Sequence, residues 1–175
     1  MVKHRLRIEW TEACQSATEG LIESLTSAPV MAHPDFLKPF TLHCDASWVG
    51  LGAVLYQEQS GQLKTIAYAS RALLPSEKNY HSNKLEFLCM KWVITEQFKD
   101  YLYHSQEFDV VTDNNPLLYC LTSSKLNATT VRWVGELADF NFTIRYRPGA
   151  VHKDVDALSR LPLDIETIRE YTAVL

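Results

Sequence analysis

The chain lacks most of what would place it in a membrane, in the secretory route or in a disordered class. No apolar run approaches the ~20 residues needed to cross a bilayer. The opening MVKHRLRIEW is basic but has no apolar core of a secretory signal. These absences point to an intracellular protein with no membrane partner. The four cysteines, Cys14, Cys44, Cys89 and Cys120, form no CxxC pair and have no matching histidine pair. That argues against a structural zinc site or a disulfide framework and leaves reduced core thiols. Internal repeats and low-complexity tracts are missing too. Net positive charge is also missing: the formal charge is −4. A nucleic-acid partner is not excluded by this, because acids gathered around divalent cations count as negative in a sequence while their loaded site is not. What remains is 46% apolar and 22% charged residues in a 175-residue chain. This suits a soluble globular protein with one ordinary core, too short for two domains of typical size.

Periodicity supplies the elements. Trp10, Cys14, Ala17, Leu21 and Leu25 recur at spacings of three and four, which predicts a helix over residues 1–28. Pro29 and Pro34 break that pattern. Phe40, Leu42 and Cys44 alternate with Thr41, His43 and Asp45, the mark of a strand. The chain then turns at Gly50, and Leu51 to Gln57 gives a second strand. After the turn EQSGQ, residues 63–72 form a third strand with Ile66, Tyr68 and Ser70 on one face, completing an antiparallel meander. From Asn79 to about Tyr103 no Gly or Pro occurs, and Leu85, Leu88, Cys89 and Trp92 form an apolar stripe on what should be the longest helix. A fourth strand covers Glu107 to Thr112, a short helix opens at Pro116, and a further helix covers Ala128 to Asp139. NFTIRYR is the fifth strand, ended by Pro148-Gly149, and residues 152–160 make a terminal helix. The order βββαβααβα describes an α/β chain with a five-stranded mixed sheet, three antiparallel strands followed by parallel ones, flanked by helices.

Four acids occupy comparable places on this map. Asp45 ends the first strand, Asp113 ends the fourth, Glu86 lies in the long helix and Asp156 in the terminal one. Ligands of open sheets bind outside strand ends. If strands one and four are parallel neighbours, Asp45 and Asp113 emerge side by side. Each acid also has a plain explanation. Asp45 suits a turn, and Glu86 and Asp156 suit solvated helix faces. For Asp113 the plain explanation is a helix cap, but Pro116 at the first helical position makes Asn115 the cap, two residues later. Carboxylates ~4 Å apart repel by ~4 kcal/mol at an effective dielectric near ~20. A convergence of four therefore calls for divalent cations, and an all-oxygen ligand set selects Mg²⁺ or Mn²⁺ over zinc. A pair of such ions clamps a phosphodiester.

Six segments together resemble one family: CDASWVGLGAVLYQ, IAYASRAL, KNYHSNKLEFLCMKWVITEQFKDYL, FDVVTDNNPLLYCL, RWVGELADFNFTIRYRPG and VDALSR. The family is the ribonuclease H domain of reverse transcriptases from LTR retrotransposons, especially the gypsy class. The upstream IEWTEACQSATEGLIESLTSAPVMAHPDF is similar to the segment that joins the polymerase to that domain. The resemblance implies residues 1–34 as connecting helix and linker, residues 35–162 as a domain of RNase H-like fold, and residues 163–175 as a tail. It implies Asp45, Glu86, Asp113 and Asp156 as catalytic acids holding two Mg²⁺ ions, with Mn²⁺ as substitute. The implied activity is hydrolysis of the RNA strand of an RNA–DNA hybrid, leaving a 3′-hydroxyl and a 5′-phosphate. The implied partners are that hybrid and a polymerase domain of the same polyprotein, in the cytoplasm, a virus-like particle or the nucleus. The acid order sets the chain apart from integrases on a related fold. Relatives commonly carry Asn where this chain has His152, and no histidine loop or Lys-rich handle is recognisable. That departure, with the missing polymerase, motivates the alternative of a catalytically inactive structural or nucleic-acid-binding module.

A hybrid must be gripped by its phosphates and told from DNA by its 2′-hydroxyls. Lys84, Lys91, Lys125 and Arg132 are the candidate cations. Ser47, Asn83, Asn114, Ser123 and His152 are the candidate polar contacts. Arg145 and Arg147 read as an ordinary wet strand face. Trp48 is either a core lid or a sugar-stacking surface, and Trp92 and Trp133 are packing residues.

Overall fold

The computed structural model describes residues 10–28, 30–113, 128–147 and 153–160. The chain divides into two units, Met1–Ala32 and His33–Leu175. In the first, α1 (Glu12–Thr26) is capped by Thr11, whose hydroxyl accepts from the Cys14 amide. It ends at Ser27, and Leu21, Ile22 and Leu25 on it are exposed. The helix expected over residues 1–28 is thus shorter among the described residues, with residues 1–9 outside them. Cys14, expected as a core thiol, is only partly covered, whereas Cys44 and Cys89 are buried free thiols. Cys120 lies outside the described residues.

In the second unit, β1 (Phe40–Ala46), β2 (Gly50–Gln59) and β3 (Gln62–Ala72) form the expected meander. β4 (Phe108–Thr112) and β5 (Phe142–Tyr146) follow. The sheet order is β3-β2-β1-β4-β5. β1 pairs antiparallel with β2 and parallel with β4, and β5 is parallel to β4. This is the five-stranded mixed sheet that the pattern led one to expect. β2 lies second from one edge and is buried along most of its length, which explains why LGAVL reads as an unbroken apolar run.

Two strand details differ from expectation. The β1–β2 turn is made by Ser47 to Val49, with the Ser47 amide donating to the Gly50 carbonyl at 2.9 Å, so Gly50 opens β2. In β3 the register shifts opposite Leu55 and Tyr56, which pair with Ala67 and Thr65, so Ile66 is an extra residue. That bulge breaks the alternation. Ile66 and Ala69 are buried, while Tyr68 and Ser70 are half-buried.

The helical stretch from Asn79 to Tyr103 is not one α-helix. Residues 74–80 turn, with Glu77 accepting from the Leu74 amide and paired in two contacts with Arg71. Helix α2 (Ser82–Trp92) starts after His81. The next turn, Val93–Gln97, widens so that the Phe98 amide reaches the Val93 carbonyl at 2.8 Å, and α3 (Lys99–Leu102) continues. This π-type turn shifts the helical phase. It lets Ile94, Phe98 and Leu102 all reach the core, where they are 0%, 2% and 1% exposed. The longest uninterrupted helix among the described residues is therefore α1. Helix α4 (Ala128–Leu137) ends two residues earlier than expected, and α5 (Lys153–Arg160) closes the described chain. The helix expected from Pro116 lies outside the described residues.

Core layers explain the pattern. Leu85, Leu88, Cys89 and Trp92 bury the α2 stripe, α2 packs against β1, and Phe87 meets Trp133 edge to face at 5.7 Å between ring centres. Buried Gln57 anchors the lead-in segment. Its amide nitrogen donates to the carbonyls of Asp35 and Lys38, and its oxygen accepts from the Asp35 amide at 2.8 Å.

Helix α5 packs on β2, β1 and β3, and glycine decides how closely. A Cβ on Gly52 would lie 2.6 Å from the Ser159 nitrogen, and one on Gly50 would lie 3.0 Å from the Ser159 carbonyl oxygen. The Leu158 carbonyl accepts from Ser70 Oγ at 2.8 Å, and the Ser159 carbonyl accepts from Ser47 Oγ. The helix therefore rests backbone-first on the sheet. Gly52→Ala should cost about 1–3 kcal/mol of stability through overpacking and so lower the thermal midpoint. Backbone amide exchange should locate the loosening at α5; unchanged protection there would contradict this account of the docking.

Candidate active site

The parallel pairing of β1 with β4 sets Thr41 beside Asp109, Leu42 beside Val110 and His43 beside Val111. Carried two residues further, the same register sets Asp45 beside Asp113. Both strands point their C-terminal ends the same way, while their onward connections leave toward opposite edges of the sheet. Such a switch point opens a crevice. Helix α2 closes its third side and brings Glu86. Cys89, one turn further on, donates from Sγ to the Asp45 carbonyl at 3.2 Å, which ties the helix to the strand end. Burial pushes the Cys89 thiol pKa up, so it serves as a donor and stays un-ionised.

Carboxylate oxygens of Asp45, Glu86 and Asp113 all lie within 4.8 Å of one another. They line a cavity of about 470 Å³ that also takes in Asp156, Asn83 and Trp48. Glu86 is the least ordinary of the three. It is only 5% exposed, against the solvated helix position that a lone glutamate would occupy. Its Oε2 is buried without a hydrogen-bond partner. Burial first, then the charges of Asp45 and Asp113, raise its pKa from 4.5 to about 9, opposed by the Ala46 amide. Three converging acids, one with an orphaned oxygen, fit a hard divalent cation. Oxygen is the ligand type such ions take, and positive charge would relieve both the repulsion and the orphaned atom.

Asp156 is on the same cavity wall but outside the close trio. Its Oδ1 accepts from Arg160 Nε at 2.6 Å, one helical turn along α5. Asp45 has its own partner from that helix. Ser159 Oγ, on a residue 0% exposed, donates to Asp45 Oδ2 at 2.6 Å. Ser159 was missed in the sequence, although it stands three residues after Asp156 and so on the same helical face. Arg160 and Tyr146 on the cavity wall were missed as well.

The expected substrate contacts divide. Asn83 lines the cavity. Lys84 lies beside it on α2, with Nζ 3.5 Å from the Tyr80 ring centre and 5.8 Å from that of Trp133. Ser47 uses its hydroxyl within the turn and on α5, accepting from the Val49 and Gly50 amides at 3.1 Å. Lys91 is held between Glu96 at 2.7 Å and Glu136 at 3.0 Å. Arg132 is exposed, 3.5 Å from Glu136, and Arg145 pairs with Asp109 at 2.7 Å. Trp48 is 67% exposed on the cavity wall, which rules out a core lid, whereas Trp92 and Trp133 are buried as expected. Asn114, Ser123, Lys125 and His152 lie outside the described residues.

A five-stranded mixed sheet of this order, with acids at the ends of its central parallel pair, defines an RNase H-like fold. Solved structures agree on the fold. RNase H1 from Halobacterium salinarum matches with a TM-score of 0.54 at 18% identity, over 72% of this chain and 98% of that one. A foamy viral protease-reverse transcriptase in complex with an RNA/DNA hybrid matches with a TM-score of 0.59 at 20% identity, over 90% of this chain and 21% of that one. Residues 10–110 match the family model of the RNase H-like domain found in reverse transcriptase. The chain is also 35% identical over 158 residues to the retrovirus-related Pol polyprotein from transposon opus of Drosophila melanogaster. It belongs to this reverse-transcriptase RNase H-like family. The match takes in 90% of the chain but only 16% of that polyprotein.

The raised Glu86 pKa has a sign that can be tested. A carboxyl whose folded pKa lies above its unfolded value favours folding fully below the unfolded value, and that contribution is lost as pH rises toward the folded one. Metal-free stability should therefore fall between the ordinary 4.5 and about 9, with a loss of about 3 kcal/mol reached at neutral pH. Glu86→Gln should remove that slope and raise the metal-free thermal midpoint at neutral pH. Chemical denaturation across the pH range checks both; parallel curves for the two proteins would contradict the assignment.

Proposed function

We propose that the chain is a metal-dependent ribonuclease H module that hydrolyses the RNA strand of RNA–DNA hybrids, within the reverse transcriptase of a retroelement. The observation that carries the reading is the convergence of Asp45, Glu86 and Asp113 with Glu86 Oε2 left buried and unpartnered. Such a trio is costly for a fold that has no use for a cation. Family membership narrows the chemistry, and the neighbour solved with an RNA/DNA hybrid supports the substrate class.

Asp45, Glu86 and Asp113 would hold the cations, two Mg²⁺ ions or Mn²⁺ in their place, with Asp156 completing the set from α5. When bound, such ions supply Lewis-acid polarisation of the phosphodiester and a water of lowered pKa. The chain's own residues orient the hybrid around them. Asn83 at the cavity wall donates to a sugar hydroxyl or phosphate. Lys84, held over Tyr80, sets one positive charge beside the cleft. Trp48 offers an exposed indole on which a sugar or base of the cleaved strand can rest. Asn114, Lys125, Arg132 and His152 complete the proposed contacts. Hydrolysis adds water across the phosphodiester and leaves a 3′-hydroxyl and a 5′-phosphate. A polymerase domain of the same polyprotein is the proposed neighbour in the longer protein.

One observation favours the alternative of a retained but inactive module: the Asp156 carboxylate is engaged by Arg160. Cleavage of an end-labelled RNA–DNA hybrid in Mg²⁺ decides between them. The chain should cut the RNA strand, and Asp113→Asn should lower the rate by at least ~100-fold, of the order lost when a key transition-state contact is removed. Hybrid binding without turnover would establish the inactive module, and equal rates in both proteins would overturn the site.

A further inference from the structure

Helix α5 brings Asp156 and Arg160 to the cavity wall, and behind that wall it brings Ser159 to Asp45. Ser159 is fully buried, and its backbone is clasped on both sides. Ser47 Oγ donates to its carbonyl, and the missing Cβ atoms of Gly50 and Gly52 admit the backbone at 2.6–3.0 Å from where those atoms would lie. So placed, its hydroxyl has one proton and two acceptors, Asp45 Oδ2 at 2.6 Å and the Asp156 carbonyl at 3.0 Å. The shorter contact is to the charged group, where a hydrogen bond is roughly twice as strong as between neutral partners. Asp45 sits near the end of a strand, and the terminal bond of its side chain has a broad torsional preference that this hydrogen bond narrows.

We propose that Ser159 is a positioning residue: its hydroxyl holds the Asp45 carboxylate in the orientation that converges with Glu86 and Asp113. It touches neither substrate nor reacting atoms and acts through Asp45. The arrangement also couples assembly to docking. Asp156 and Ser159 share one face of α5, so a single packing event brings the fourth acid and orients the first. This rests on the reading of the acids as a divalent-cation site. Hydrogen-bonded partners of ligating carboxylates typically change metal affinity or activity by ~10–100-fold when removed.

Calorimetric titration of Mn²⁺ into the full chain, without nucleic acid, tests the proposal. Ser159→Ala should bind Mn²⁺ at least ~10-fold more weakly than the unaltered chain while remaining folded by circular dichroism. In hybrid cleavage, its half-saturating metal concentration should rise by the same factor, with turnover regained at saturating metal. Ser159→Cys keeps a small, weaker donor and should fall between the two; it carries the test if the alanine variant does not fold. A merely structural serine would lower the thermal midpoint and leave Mn²⁺ affinity unchanged in the folded protein. Equal affinity in the unaltered chain and either variant therefore overturns the proposal alone. Absence of Mn²⁺ binding by the unaltered chain overturns the cation site itself and the proposal with it.

Discussion

Electrostatic repulsion among three carboxylates is the constraint around which this structure is arranged. Two such charges ~4 Å apart repel by ~4 kcal/mol even at an effective dielectric near ~20, and here the third acid has little water to soften the cost. The fold makes that convergence unavoidable. Parallel pairing of β1 with β4 aligns Asp45 with Asp113, and the packing of α2 on β1 leaves Glu86 nowhere to go but the crevice. Local stability is sacrificed for a concentration of negative charge, as functional sites commonly require. Burial and the two neighbouring acids favour a proton on Glu86, and a bound cation would relieve the same repulsion.

Much of the fold was legible because its signals are local. The alternation in FTLHCDA, the apolar run LGAVL and the stripe Leu85, Leu88, Cys89, Trp92 each reflect burial in the core. Sequence periodicity could not show the bulge at Ile66, because one extra residue changes phase without changing composition. Nor could it show the wide turn at Val93–Gln97, where no Gly or Pro marks the change. Both shifts are decided by what the residues pack against. The turn at Ser47 to Val49 was misplaced by the common association of glycine with turns. Gly50 and Gly52 are there for a different reason, the close approach of α5, a contact more than a hundred residues away in sequence.

The candidate site divides along the same line. Acids at strand ends can be found by mapping strands, as Asp45 and Asp113 were, whereas Glu86 was placed only on its helix. Their partners depend on long-range docking. Ser159 reaches Asp45 only because α5 lies on the glycines of β2, and Arg160 reaches Asp156 by helical spacing. Lys91 shows the same dependence, since its ion pairs with Glu96 and Glu136 come from packing that periodicity does not show.

Anomalous scattering from crystals grown with Mn²⁺ at neutral pH bears most directly on the central claim that these acids exist to hold a cation. A manganese peak should appear among Asp45, Glu86 and Asp113, with Glu86 Oε2 in contact with it. Crystals that leave the trio without a peak, while manganese appears elsewhere or Glu86 turns its carboxyl away from the other two, would contradict it.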